Sequence, residues 1–426
     1  MRATTLFNNV LDLDGITVAD VTVGTDQVNL AVRLRRRRLL CPEPDCGFST
    51  RWRADTRPAD SSWRSLDMGS RKVIVTARLR RLDCPDHGVL VEQVPFARHR
   101  ARFTRDFEDL VAWCASKTDK TAVCRLLRIA WLTVGAIVER VVADGLDPHR
   151  LDGLVSIGVD EISWKKRHNY LTVVVDHATG DVIWTGPGKD AAALDAFFAE
   201  LGPERSAGLT AISMDMGKAY PKSARKDGHA PQAEICWDPF HVVAMGAKAM
   251  DTVRRVHWNQ LRATTDPHTA RRFKGARWAL LKNPADLSDR QTDALAAIKR
   301  TGSAVWRAYR GKEALRAIFA GDLDPQEVTG LLDRWCGWAQ RSRLEAFVKL
   351  GRTIREHRHG ILAAIRLGLS NGRVEGRNAG IRLIARRASE RVKSVLPGLW
   401  SGFVVDGGLV DPGVLGKLGC GGRSGE

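Results

Sequence analysis

The order of β-rich and helical runs between residues 151 and 245 constrains this chain more than any other feature. LVSIGVDEI, NYLTVVVD and DVIWTG are three β-rich runs, and His177-Ala178-Thr179-Gly180 separates the second from the third as a hairpin turn does. In DAAALDAFFAELG, Leu194, Phe197, Phe198 and Leu201 recur at helical spacing. LTAISMD and AEICWD read as a fourth and a fifth strand, with a short helical piece between them. The order βββαβαβ joins an antiparallel meander to parallel strands and predicts a mixed sheet covered by helices.

In such a sheet the first and fourth strands are parallel neighbours. Asp160 at the end of the first and Asp215 at the end of the fourth then emerge at one carboxyl-terminal edge, where α/β sheets keep their sites. Asp176 ends the antiparallel second strand and falls at the opposite edge, whereas Asp238, ending the fifth, competes with Asp215. Carboxylates gathered this way suit phosphodiester cleavage, in which two metal ions about 3.5–4 Å apart activate the attacking oxygen and steady the leaving one. A third ligand is expected on a helix packed back onto that edge. LSNGRVEGRNAGIRLIARR supplies Glu375, with Asn371 as a cap, Gly372 and Gly376 permitting close approach, and Arg373, Arg377, Arg382, Arg386 and Arg387 for phosphates. Without the two aspartates the same segment reads as an ordinary exposed basic helix.

Charge supports a polyanionic partner. The 67 Lys and Arg against 49 Asp and Glu leave +18, and Arg33, Arg35, Arg36, Arg37 and Arg38 are clustered, which points to nucleic acid. No run of about 18 apolar residues and no signal-peptide core is present, so a cytoplasmic protein without a membrane partner is expected. Cysteines in that compartment serve as metal ligands or buried thiols. CPEPDC places Cys41 and Cys46, and CPDHG places Cys84 and His87, on two short Pro-containing knuckles, which together suit one tetrahedral Zn²⁺. Cys114, Cys124, Cys236, Cys336 and Cys420 lack partner spacing, and most of the 13 tryptophans read as core.

FTRDFEDLVAWCA predicts a helix capped by Thr104, with Phe107, Leu110, Val111 and Cys114 inward. TDKTAVCRLLRIAWLTVGAIVERVV predicts two more, broken near Ile129, with Ala122, Leu126 and Leu127 inward from the first and Val134, Ile137 and Val138 from the second. A short helix, a tight turn and a longer helix with polar residues at its start suit a major-groove reader. Beyond 240 the pattern is helical, with a capping box at Ser288 and Gln291 and another start at Asp324, Pro325 and Glu327.

CPEPDC…CPDHG, GVDEISWKK, SMDMGKAY, DPFHVV and above all SNGRVEGRNAGIRLIARR, in this order, resemble the ISL-three family of bacterial insertion-sequence transposases from about residue 30 to 387. The resemblance implies a ribonuclease-H-like core interrupted by a helical insertion. It implies an Asp-Asp-Glu triad of Asp160, Asp215 and Glu375 binding Mg²⁺ (or Mn²⁺), and cleavage and strand transfer on DNA ends carrying inverted repeats. The expected organisation is a multidomain α/β chain: a zinc ribbon over 1–95, a helix-turn-helix over 97–150, and the catalytic domain over 151–387 with its insertion at about 245–350. Double-stranded DNA, both element ends and target, and a second copy of the chain in the synaptic complex are the expected partners, in a nucleoid-associated bacterial protein. The alternative is a catalytically inactive, transposase-derived DNA-binding protein or repressor. After Arg387 the chain departs from the family pattern: residues 388–426 hold ten glycines and are expected to lie outside the folded nuclease.

Overall fold

In the computed structural model residues 2–369 are described, apart from Asp12, Asp14, Pro44, Asp45, 166–168, Asp266 and Asp322. Glu375 and the glycine-rich tail lie outside the described residues. The described residues form two compact units, divided after Asp147.

The first unit opens with α1 (Ala3–Leu11), β1 (Ile16–Val23) and β2 (Gln27–Leu34). The short strands β3 (Leu39–Leu40), β4 (Ser49–Thr50) and β5 (Asp55–Thr56) follow. The longer β6 (Ser61–Met68) and β7 (Arg71–Ala77) precede β8 (Arg80–Cys84) and β9 (Gly88–Val91). One sheet has the order β1-β2-β7-β6, with β2 and β7 parallel and the outer pairs antiparallel. Strand β2 leads directly into the arginine cluster at 35–38. The alternating Val28 and Leu30 of β2 and Val73 and Val75 of β7 are buried with Trp63 and Phe96. The metal knuckles are carried outside this sheet, on the β3-β4 pair and the β5-β8-β9 sheet.

Helices α2 (Arg105–Lys117), α3 (Lys120–Leu127) and α4 (Trp131–Gly145) complete the unit. Thr104 caps α2 by accepting from Phe107 N, and Asp119 caps α3 by accepting from Ala122 N. Arg128 ends α3 with φ 54°, and the chain turns through 99° into α4 after three residues. That is helix-turn-helix geometry. The turn is fixed from below: Arg128 donates to Asp67 Oδ2 at 2.5 Å and to Ser70 O, while Arg64 donates to the Arg128 carbonyl and to Asp67. Two sequence expectations fail here. Leu126 is 67% exposed, and Val123 with Leu127 takes the inward face. The start of α4 is Trp131 and Leu132, both exposed, so the first turn of this helix is apolar rather than polar. Among the described residues no single helix is long and apolar enough to cross a membrane.

A buried ion pair locks α2 to α4. Glu108 is fully buried and accepts from Arg140 Nε at 3.0 Å and Nη2 at 2.5 Å, with Arg98 Nη1 3.5 Å away. Truncating one partner of such a pair leaves the others uncompensated, at about 3–5 kcal/mol. Glu108→Ala is therefore expected to cost about 3 kcal/mol, the lower end because Arg140 keeps partial exposure. Hydrogen exchange over residues 98–145 reads it, and unchanged protection there would rule out the buried pair as a stabilising contact.

The second unit holds β10 (Ser156–Lys165), β11 (Asn169–Asp176) and β12 (Val182–Pro187), then α5 (Ala191–Leu201), α6 (Pro203–Ser206) and β13 (Ala211–Met214). Helix α7 (Ala219–Ala224) and β14 (Glu234–Trp237) close the sheet, whose order is β12-β11-β10-β13-β14. The first three strands form the antiparallel meander, and β13 and β14 run parallel to β10, as the pattern predicts. Leu194, Phe197, Phe198 and Leu201 of α5 are all buried on it. A helical block follows: α8 (Pro239–Thr264), α9 (Pro267–Gly275), α10 (Arg277–Leu281), α11 (Asp289–Arg300), α12 (Ala304–Ile318), α13 (Pro325–Arg341), α14 (Glu345–Glu356) and α15 (Arg358–Arg366). The Ser288–Gln291 capping box and the Asp324 cap of α13 form as the sequence indicates. Helix α15 crosses β14 so closely that a Cβ on Gly360 would lie 2.5 Å from the Ile235 carbonyl oxygen.

Candidate active site and metal centre

Register decides which carboxylates meet. In the parallel pair, Gly158 of β10 is opposite Ser213 of β13, and Met214 is opposite Trp237 of β14. Continued by one or two residues, that register sets Asp160, Asp215 and Asp238 side by side at the carboxyl-terminal edge. Asp176 pairs with Ile157 at the start of β10 and so lies at the opposite edge. One detail differs from the sequence reading. Strand β10 does not end at Asp160 but continues to Lys165, paired with β11. The ladder with β13 stops at Gly158, so Asp160 is flanked on one side only and stands at the mouth between β10 and β13.

The three aspartates have different duties. Asp238 is 1% exposed and is committed to its own helix: Oδ1 accepts from Phe240 N at 3.2 Å, capping α8, and Oδ2 is 3.0 Å from His241 Nδ1. Asp215 is half-buried and accepts from Gly217 N at 3.0 Å through Oδ1. A Cβ on Gly217 would come 2.9 Å from that oxygen, so any larger residue there would push the Asp215 carboxylate aside. Asp160 is half-buried, and its Oδ1 accepts from Glu161 N at 2.7 Å.

Negative charge accumulates at this edge. Burial pushes the Glu161 carboxyl up, and the charges of Asp215 and Asp160 push it further, against Lys189 and His241. His241 is raised first by its bond to Asp238, with burial opposing, and then by Asp160 and Asp215. The Tyr220 hydroxyl, 3.0 Å from Thr172 Oγ1, is raised by burial and, against that hydrogen bond, by the charges of Glu161, Asp215 and Asp160. Like charges that each perturb their neighbours in this way are what a divalent cation offsets. Glu161 and His241 belong to the group although neither is a strand-end aspartate. Glu161 follows Asp160 directly, and the only sequence sign of His241 is its place in DPFHVV.

The second cluster lies in the first unit. Cys41 follows β3, where its N–H donates to Phe48 O at 3.0 Å, and Cys84 ends β8 opposite Gly88. Gly47 (φ 65°) and Gly88 (φ 69°) take the left-handed conformations that turn each knuckle back. One ligand atom from each of Cys41, Cys46, Cys84 and His87 lies within 4.8 Å of all the others. Cys46 Sγ is 3.6 Å from Cys84 Sγ, and His87 Nδ1 is 3.5 Å from Cys84 Sγ and 3.8 Å from Cys41 Sγ. Tetrahedral zinc with ordinary bond lengths separates its ligands by about 3.5–3.8 Å. Burial and neighbouring thiols push the Cys41 thiol up to about 11. For Cys84, burial is the largest influence and raises the thiol, but hydrogen bonds from the His87 side chain, the Asp86 and His87 backbone and Cys46 together outweigh it, and the thiol falls to about 7. The apolar support of the knuckles is small among the described residues: Leu39 and Leu82 are fully buried beside the thiols, and Phe48 and Leu90 are partly buried against them. At about 1.5–3 kcal/mol each, these side chains cannot offset the ordering of these loops at about 1–2 kcal/mol per residue.

Comparison with known proteins agrees on the kind of protein. A family model described as "Transposase" matches residues 157–389, and the "Helix-turn-helix domain of transposase family ISL3" matches residues 92–142. The transposase for insertion sequence element IS1557 of Mycobacterium tuberculosis is 43% identical over 416 residues, spanning 91% of this chain and 92% of that protein. The transposase for insertion sequence element IS1001 of Bordetella parapertussis is 29% identical over 327 residues, spanning 76% and 79%.

Proposed function

Because this chain belongs to the ISL3 family of insertion-sequence transposases, we propose that it binds the terminal inverted repeats of its element and catalyses their cleavage and transfer with Asp160, Asp215 and Glu375. The observation that carries this reading is the parallel β10–β13 register, which aligns Asp160 with Asp215 while Asp238 is spent on its helix cap and His241. In this reading the mixed sheet is a ribonuclease-H-like core and the helices after β14 are its insertion.

Glu375 is within reach. Leu369 packs against Ala211 and Cys236, and Asp215 is four strand residues beyond Ala211, about 13 Å. The six residues from Leu369 to Glu375 rise about 9 Å as helix and reach about 20 Å extended. The unbalanced charge around Glu161 fits a divalent site held by Asp160, Asp215 and Glu375. Mg²⁺ or Mn²⁺ bound there supplies activation of the attacking oxygen and stabilisation of the leaving one. The residues of the chain fix the carboxylates: Gly217 N orients Asp215, and Tyr220 holds Thr172 behind the edge. Zn²⁺ at Cys41, Cys46, Cys84 and His87 is structural, holding a basic module beside the helix-turn-helix. Two copies of the chain assemble on paired ends.

The test is incubation of the full chain with Mg²⁺ and a DNA fragment carrying the element's ends. Nicked and joined products are expected, and their loss on chelation. Specific end binding without any cutting, in either metal, would favour the inactive DNA-binding alternative.

A further inference from the structure

The helical block carries a cavity that the chemistry above does not use. It measures about 590 Å³, within the roughly 300–1,000 Å³ range of sites for small ligands. It lies between the second half of α8 and helices α9 and α10, lined by Arg255, Trp258, Arg271, Lys274, Arg277 and Trp278. Residues 251–282 hold eight Arg and Lys against two Asp. One of those, Asp251, is engaged by Arg254 and Arg255. Among the described residues no carboxylate lies within ion-pair distance of Arg271, Lys274 or Arg277. The aromatic faces are covered by cations instead. Arg262 lies 5.0 Å and Lys274 5.6 Å from the Trp258 ring centre, and Arg277 lies 4.9 Å from that of Trp278, whose residue is 52% exposed.

We propose that this cavity binds unpaired nucleotides of a DNA strand, with phosphates on Arg271, Lys274 and Arg277 and bases stacked on both Trp258 and Trp278. The exchange is chemically balanced: phosphates draw the cations off the rings, and the bases take the vacated faces. A paired duplex hides its base faces and would use the cations alone, leaving the exposed Trp278 and the half-buried Trp258 without a stacking partner. Five cationic side chains lining the cavity, Arg254, Arg255, Arg271, Lys274 and Arg277, around two indoles match a stacking platform in a phosphate-binding groove. An ordinary solvated basic face does not need the tryptophans.

The inference rests on the transposase reading for its DNA, and its test is independent of cleavage. The full chain is titrated with a fluorescent oligothymidine and, separately, with a fully paired duplex, each at two salt concentrations. Trp258→Ala and Trp278→Ala are expected to lower the ratio of single-strand to duplex affinity about ten- to a hundredfold, since one stacked base contributes on that scale. Trp258→Phe restores most of it by keeping a ring. Lys274→Gln with Arg277→Gln weakens oligothymidine binding and flattens its salt dependence. Three outcomes overturn the proposal: folded tryptophan variants with an unchanged ratio, no difference between Trp258→Phe and Trp258→Ala, or polyglutamate competing as well as oligothymidine. A chain that binds oligothymidine in this way but never cuts DNA would remove the catalytic reading and leave the cavity assignment standing.

Discussion

Asp160→Ala and Asp215→Ala are each expected to depress DNA strand cleavage by about 10²- to 10³-fold or more, while binding to the element's ends stays within about twofold. The asymmetry follows from where each term arises. Removing one group that stabilises developing charge costs cleavage on that scale. Affinity comes from phosphate contacts by basic side chains elsewhere. Glu375→Ala belongs with the first two. Asp238 decides between the candidates, because the register alone puts it level with Asp215. It caps α8 and holds His241, so Asp238→Asn, which caps about equally well, is expected to keep cutting. Asp238→Ala loses about 1 kcal/mol of helix stability for want of a cap. A cutting Asp215→Ala beside an inert Asp238→Asn would mean that the triad has been assigned to the wrong strand.

Removal of zinc is the second large effect. Structural zinc contributes about 10–16 kcal/mol of binding free energy in small finger domains, and here the four ligands are backed by a small cluster of Leu39 and Leu82 with the partly buried Phe48 and Leu90. Cys41→Ser with Cys84→Ser is expected to reduce zinc from about one ion per chain to none. It should also expose the amides of residues 39–50 and 80–91 to rapid hydrogen exchange. The β1-β2-β7-β6 sheet, with its own core around Leu30, Val75 and Trp63, is expected to stay protected. Zinc retained by the double variant, or knuckle amides that remain slow, would show that another set of groups holds this region.

Much of the second unit, and the helix starts of the first, were legible because their signals are local. A hairpin turn at 177–180, helical spacing at Leu194 to Leu201 and caps at Thr104, Ser288 and Asp324 each act over a few residues, and all formed as read. The parallel pairing of β2 with β7 was not legible. Its partners lie more than 40 residues apart with no turn to announce them, and the knuckles interrupt them. Leu126 was misplaced because two adjacent leucines, Leu126 and Leu127, satisfy the helical period almost equally, and packing chose Leu127. Glu108 was missed for a related reason. A charged residue at an inward helical position reads as surface until its arginine partners, 10 and 32 residues away, are seen to converge on it. Trp258 and Trp278 read as core, because nothing in a sequence separates a buried indole from one that lines a basic cavity. At the edge, the pairing of Asp160 with Asp215 was deducible from strand order. The burial of Asp238 beneath its own helix cap was not.

The most direct test of the proposed triad is a crystal structure of the full chain on a terminal DNA duplex soaked in Mn²⁺, read by anomalous scattering. Manganese peaks are expected within about 2.0–2.4 Å of carboxylate oxygens of Asp160, Asp215 and Glu375, with Asp238 still bonded to Phe240 N and His241. Peaks coordinated by Asp238 in place of Asp215, or a site from which Glu375 is absent, would contradict it.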